Sequence, residues 1–285
     1  MKKVLIWLLI VFGLLIAIGY SYRRSLAFVK SRRTPAINQV SPEVSHQPVE
    51  TGQAGTKPFT FLAGTAEMIS YYNQQASDQD YIYFFENSLL RNRQAQIEDY
   101  KKVAKGKIIQ SFASYQNAEA ELPYIKDYIQ GVGYDLEKWD KSMNEGENIE
   151  ASSQKMQALA KKYHLLYFSH LGIQLAERNR VDPESIEHMA KYADGYNLSL
   201  YPCLEQKSMT ECVSMARNMA VRAKKYNSGV LVFVGISLEK NISLEDQLEF
   251  LEISSQFADG FGVFFYPTRP ESVVKFRQFM QMLRG

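Results

Sequence analysis

The sequence predicts a single (β/α)8 barrel over residues 58–285, set behind an apolar N-terminal segment and a polar linker. Three observations predict it. After Lys57, short β-rich runs alternate with amphipathic helical stretches, the pattern of parallel strands joined by crossover helices. Eight such runs occur, most followed by a helix, in about the length that one barrel needs. A doubly wound open sheet would normally carry a glycine-rich phosphate turn after its first strand, and none follows here.

The chain opens Met1-Lys2-Lys3, runs apolar from Val4 to Ile18 and leaves through Gly19-Tyr20-Ser21-Tyr22-Arg23-Arg24. A basic start, a long apolar stretch and a polar exit form a secretory signal or signal anchor. With Gly19 and Tyr20 the run reaches about the minimum length for spanning a bilayer. The expectation is a transmembrane signal anchor over 1–22. Ala17-Ile18-Gly19 offers a small-x-small cleavage site, but bulky Tyr20 and the basic residues after it favour retention. Charge gives a conflict of topology. Arg23, Arg24, Lys30, Arg32 and Arg33 outnumber Lys2 and Lys3, so a strict positive-inside count keeps the barrel cytoplasmic. The Met-Lys-Lys start argues for export, and an extracytoplasmic barrel is the expectation. Residues 23–57 are polar, aperiodic and broken by Pro35, Pro42 and Pro48, which predicts a flexible linker.

Strands are predicted at Phe59–Gly64, Tyr81–Asn87, Lys107–Ser114, Tyr128–Glu137, Leu165–Gly172, Gly195–Tyr201, Val230–Ser237 and Phe261–Tyr266. Between them lie helical stretches such as Ser152–Tyr163, Pro183–Tyr192, Met209–Tyr226 and Ser243–Phe257, and Pro270–Leu283 closes the chain. Two segments echo each other. Ala193-Asp194-Gly195-Tyr196 leads to Tyr201-Pro202, and Ala258-Asp259-Gly260-Phe261 leads to Tyr266-Pro267 at the same spacing. Asp-Gly would turn the chain into each strand at the barrel bottom. Internal duplication and convergent turn chemistry explain the echo equally well.

A net charge of +2, with lysines and arginines scattered, gives no basic strip for nucleic acid. Cys203 and Cys212 lack the four clustered ligands of a zinc site, and the histidines show no ligand spacing, so no metal or cofactor is expected. In an oxidising compartment the two cysteines could pair across the loop and helix that separate them, and two unlinked thiols, one of them buried, fit the sequence at least as well. The 18 Tyr and 16 Phe supply flat faces that suit sugar rings, although cores use them too.

Barrel chemistry gathers at the C-terminal ends of the strands. The fourth run ends Gly131-Val132-Gly133-Tyr134-Asp135-Leu136-Glu137. Period-two alternation puts Gly131, Gly133, Asp135 and Glu137 on one face. Val132, Tyr134 and Leu136 share the other and should meet the helices, so Asp135 and Glu137 turn inward. Two close carboxylates separate each other's pKa values, leaving one able to act as an acid at neutral pH; the bland alternative is an ion-paired rim. Gln130 to Glu137 resembles the fourth-strand signature of the chitinase-like glycoside hydrolases of family eighteen, Asp-Gly-x-Asp-x-Asp-x-Glu, with Gln130 and Gly133 in place of its first two acids. The resemblance implies that Glu137 protonates a glycosidic oxygen while Asp135 assists. The strand order together with Tyr134-Asp135-Leu136-Glu137-Lys138-Trp139 is similar to that of exported bacterial barrel proteins.

Further top-face candidates are Glu86 after the second strand, His170 after the fifth, and Asn197 with Ser199 on the sixth. Trp139, Tyr201 and Tyr266 are candidate stacking platforms. Glu239 holds the seventh-strand position that other barrel glycosidases give to a nucleophile, but a surface-loop role fits it better. The expected ligand is a glycan or polysaccharide, turned over or merely bound, with an envelope protein as the other candidate partner.

Overall fold

The structure is a computed structural model that describes residues 54–63, 65–85, 93–136, 145, 148–170, 188–201 and 203–284. Eight parallel strands close into a barrel in chain order. They are β1 (Phe59–Ala63), β2 (Tyr81–Phe85), β3 (Lys107–Phe112), β4 (Gly131–Tyr134), β5 (Leu166–Ser169), β6 (Gly195–Ser199), β7 (Leu231–Ser237) and β8 (Gly260–Phe264). Pairing of Phe59 with Phe261 and of Thr60 with Gly262 closes the ring. Around it lie α1 (Ala66–Gln75), α2 (Arg93–Tyr100), α3 (Tyr115–Ile125), α4 (Ile149–Lys162), α5 (Cys203–Gln206), α6 (Met209–Tyr226), α7 (Leu244–Ser254) and α8 (Pro270–Arg284).

Each expected strand is present, and the differences lie at the ends. The run expected at Tyr128–Glu137 contracts to Gly131–Tyr134 at its start because the Tyr128 N–H bonds Ile125 O, which keeps Tyr128 in the turn that follows α3. Of the helix expected at Pro183–Tyr192, residues His188–Tyr192 form a 3-10 turn; the rest lie outside the described residues. The segment 1–22, the linker to residue 53, Glu86, Glu137 and Trp139 also lie outside them. Among the described residues, no helix is long and apolar enough to cross a membrane. The described residues begin slightly before residue 58: Ala54–Thr56 forms a 3-10 turn whose buried Ala54 donates its N–H to the Glu252 carboxylate at 3.1 Å.

Helix starts are specified locally. Ser208 caps α6 by accepting the Glu211 N–H, and the Glu211 carboxylate accepts the Ser208 N–H in return, a reciprocal pair that satisfies two end donors. The outer core packs helix faces on outward strand residues: Phe276 of α8 stacks on Phe265 at 4.2 Å and meets Phe61 edge-on at 5.9 Å.

Inside the barrel, large and small residues interlock. Tyr81, Phe168 and Phe233 form an aromatic plug with ring centroids 4.9 to 6.0 Å apart. Glycines on neighbouring strands make room for it. A Cβ on Gly195 would strike the Phe168 ring, and one on Gly260 would lie 2.5 Å from Phe233 Cε1 and 2.6 Å from Pro58 O. Burial of each such ring contributes roughly 1.5–3 kcal/mol.

The bottom of the barrel repeats one device four times. The residue just before each even-numbered strand accepts, through its side chain, a backbone N–H from the odd-numbered strand before it. Asp80 takes Phe59 N–H, Gln130 takes Ile108 N–H, Asp194 takes Tyr167 N–H and Asp259 takes Val232 N–H, all at 2.8 Å. The Asp194–Gly195 and Asp259–Gly260 turns thus sit at strand entries, as their spacing predicts, and the echo belongs to a pattern of βαβ pairs. Asp80 does more. It also accepts the Ser77 N–H and pairs with both terminal nitrogens of Arg284, at 2.8 and 3.0 Å. Arg284 lies over Phe59 and donates to Gln75 O, which clasps α8 to the first strand.

Candidate functional site

Period-two alternation decides which side chains enter the barrel mouth. On β4 the outward set behaves as expected: Val132, Tyr134 and Leu136 are buried, and the Tyr134 hydroxyl donates to Glu145 Oε2 at 2.6 Å on the helix side. The inward set begins with Gly131, where a Cβ would lie 2.5 Å from Ile109 Cδ1. At Gly133 it would meet Ser111 Oγ and Tyr83 Cε1 at 3.2 Å and His170 Cδ2 at 3.3 Å. Pairing continues one residue past the strand, since Asp135 N–H bonds Phe112 O and His170 N–H bonds Tyr134 O. Asp135 therefore stays in the inward phase and is half-buried.

Tyr83, Ser111, His170 and Asn197 come from four different strands or strand ends and meet below Asp135. His170 packs edge-to-face on Tyr83 with centroids 4.7 Å apart. Asn197 Nδ2 lies 3.2 Å from His170 Nδ1. With the amide nitrogen turned to the ring, Nδ1 accepts and the proton sits on Nε2; with the amide oxygen turned to it, Nδ1 carries the proton, so the contact ties the tautomer to the Asn197 orientation. Asn197 Oδ1 would be 3.2 Å from a Cβ on Gly235 and 3.3 Å from one on Gly262, so two further glycines open the wall beside it.

Burial controls the ionisation of this group. It lowers the His170 pKa to about 4, which leaves the ring neutral at physiological pH. It also raises the Tyr83 hydroxyl well above the usual tyrosine range, with smaller contributions from Tyr81, Asp135 and Tyr201. The Asp135 charge thus reaches Tyr83. Four buried atoms here, Tyr83 OH, Ser111 Oγ, His170 Nε2 and Asn197 Oδ1, have no hydrogen-bond partner among the described residues.

Aromatic residues climb the opposite side of the mouth. Tyr201 stacks on Phe264 at 5.5 Å with 28° between the planes, and Phe264 meets Tyr266 edge-on at 5.2 Å. Tyr266 is exposed, with the Arg269 guanidinium over its ring at 3.9 Å. Glu239 is committed to this ladder: one oxygen accepts the Tyr266 N–H at 3.0 Å and the other pairs with Arg269 at 3.5 Å. It is a loop-fixing acid, the role that the sequence favoured. A Cys203–Cys212 disulfide joins α5 to the first turn of α6, just after Tyr201. Glu205 on α5 pairs with Lys240 beyond β7 at 2.9 Å.

Of the sequence candidates, Asp135, His170, Asn197 and Tyr201 gather at the mouth, joined by Tyr266 at its rim. Half-buried Ser199 ends β6 above Asn197. Glu86, Glu137 and Trp139 lie outside the described residues. Tyr83 and Ser111 were not singled out from the sequence, because Tyr81-Ile82-Tyr83-Phe84-Phe85 reads as an unbroken core strand. The period-two phase of Tyr83 with Tyr81 was the available signal. Gln130, which stands where the chitinase-like signature has its first acid, is one of the four strand-entry acceptors at the bottom. Among the described residues no cluster of three or more His, Cys, Asp or Glu is placed to hold a metal ion.

The fold is that of the TIM barrels. No protein-family model matches the chain, and no curated protein matches it. Among solved structures it is similar to a xylanase and α-amylase inhibitor protein in complex with trehalose, at 10% identity and a TM-score of 0.50 over 80% of this chain and 98% of that one. It is also similar to orotidine 5'-monophosphate decarboxylase from Methanocaldococcus jannaschii, at 13% identity and a TM-score of 0.49 over 80% and 99%. A third is a β-1,3-glucanosyltransferase from Rhizomucor miehei with laminaritriose, at 10% and 0.47 over 74% and 88%. Such likeness is of fold alone, and one fold hosts many chemistries.

Proposed function

We propose that this barrel handles carbohydrate at the cell envelope, tethered to the membrane by its apolar N-terminal segment, and that it acts as a glycoside hydrolase. The observation that carries the reading is the mouth itself: an inward carboxylate, Asp135, across from the aromatic ladder Tyr201–Phe264–Tyr266. Aromatic faces bind the apolar sides of sugar rings, and a paired acid supplies the proton that a departing glycosidic oxygen needs. Glu137, two residues on in the sequence, is the general acid on this reading, and Asp135 assists it. The disulfide supports an extracytoplasmic barrel, since such bonds persist where the compartment is oxidising.

A second reading, a binding barrel without turnover, has its own support. Where the chitinase-like signature has its second acid stands Gly133, and a side chain there would press on Ser111, Tyr83 and His170. Full-length protein in a detergent without a sugar headgroup, assayed for reducing-end release on N-acetylated and neutral polysaccharides, separates the two. Turnover is expected to fall by about 10²-fold or more in Glu137→Gln. Equal turnover in that variant removes Glu137 as the acid, and binding without release establishes the second reading.

A further inference from the structure

Tyr201 leaves β6, Phe264 and Tyr266 belong to the end of β8, and the loop after β7 runs between them in the ring. Where the rungs of the ladder stand is therefore set by what fixes three neighbouring loops. One continuous run of connections does so. It starts at Cys212, fully buried in the first turn of α6, whose disulfide holds Cys203, two residues after Tyr201. Glu205, on the same short helix as Cys203, reaches the loop after β7: its carboxylate pairs with Lys240 at 2.9 Å and accepts the Asn241 N–H at 3.3 Å. Next to Lys240 stands Glu239, which spans the following gap to the Tyr266 N–H and to Arg269. Lys275 of α8 steadies the same loop by donating to Leu238 O at 3.2 Å. Every link is covalent or charge-assisted, the stronger kinds of connection. Placement matters most at the inner end. A Cβ on Gly235 would lie 3.0 Å from Tyr201 Cε1 and 3.2 Å from Asn197 Oδ1, so a shift of Tyr201 changes the opening beside the floor of Tyr83, Ser111, His170 and Asn197.

We infer that the Cys203–Cys212 disulfide and Glu205 are positioning groups, which act through the loop after β7 to hold Tyr201 and Tyr266 in register for a sugar ring. For the ligand this rests on the carbohydrate reading above; the coupling of the three loops does not. Glu205 and Lys240 are both partly exposed, and such pairs add little to global stability, so the work of this pair lies in placing the loop.

Hydrogen exchange at single amides tests the coupling in full-length protein held in lauryldimethylamine oxide. Tyr266 N–H reports the far end of the run, while Phe59 N–H and Val232 N–H, held by Asp80 and Asp259, report the bottom of the barrel. In Glu205→Ala, and in the double variant Cys203→Ala with Cys212→Ala, exchange at Tyr266 is expected to rise about tenfold more than at Phe59 and Val232. Glu205 does not touch Tyr266, so that rise measures placement passed between loops. Calorimetric titration of the same samples with chitotetraose and cellotetraose is expected to show affinity lower by about three- to tenfold in both variants. An equal rise at all three amides assigns the disulfide and Glu205 to general stability and overturns the inference, as does unchanged exchange at Tyr266. Looser Tyr266 with wild-type affinity overturns the positioning role and leaves the carbohydrate reading intact. If the wild type binds neither sugar, the carbohydrate reading fails, and with it the positioning for a sugar, while exchange at Tyr266 still decides the coupling of the loops.

Discussion

The two ends of this barrel treat buried polar groups in opposite ways. At the bottom, Asp80 is fully buried and every oxygen is engaged: two backbone N–H groups and both arms of Arg284 converge on it. Gln130, Asp194 and Asp259 are likewise engaged with strand N–H groups. At the top, Tyr83, Ser111, His170 and Asn197 hold atoms that the fold leaves unsatisfied. One end commits its carboxylates and Gln130 to closing the ring, with Arg284 Nε left unpartnered, while the other leaves four side-chain atoms unpaired. That division is what a barrel with chemistry or recognition at the C-terminal ends of its strands requires.

The largest expected break in this comparison is at the bottom. Asp80→Ala leaves Arg284, with its 12% exposed side chain, without its counter-charge and orphans two backbone donors. A loss of about 3–5 kcal/mol in chemical denaturation is expected. A loss below about 1 kcal/mol would show that the clasp is not a principal support of the ring.

Next comes acid. Burial holds His170 neutral to about pH 4, whereas an unfolded chain protonates it near pH 6.5. The unfolded state then binds more protons between these values, so His170 contributes its stability fully above pH 6.5 and loses it as pH falls to about 4. The loss across that window is about 3 kcal/mol at most. In His170→Gln the stability–pH curve should be flatter over this range; an identical slope would mean that the imidazole is not desolvated.

The smallest effect sharpens the contrast between glycines. Gly260→Ala drives a methyl group against the Phe233 ring and the Pro58 carbonyl, neither of which can retreat cheaply. It should cost about 1–3 kcal/mol. Gly133→Ala meets its neighbours at 3.2 to 3.3 Å and should cost less than about 1 kcal/mol, while still weakening any ligand that descends to the floor. Thermal midpoints of the two variants, measured side by side, check the order.

Much of this was legible in the sequence, and the part that was not has a common cause. Alternating strand and helix periods determined eight strands, their order and most of their limits, because these are local properties of short segments. Strand phase determined that Val132 and Tyr134 face the helices and that Asp135 turns inward, because successive residues alternate faces. Asp-Gly spacing determined two strand entries. Tertiary structure alone decided which residues meet across the closed ring. Arg284 finds Asp80 from 204 positions away. Cys203 and Cys212 pair because α5 and α6 fold back on each other, a choice the sequence left open. Gln130 turned out to serve a strand entry, and Tyr83 and Ser111 to share a floor with His170 and Asn197. Such meetings depend on the stagger at which eight strands close. No single strand's pattern records that stagger, so the element list came from the sequence and the floor of the mouth only from the closed barrel.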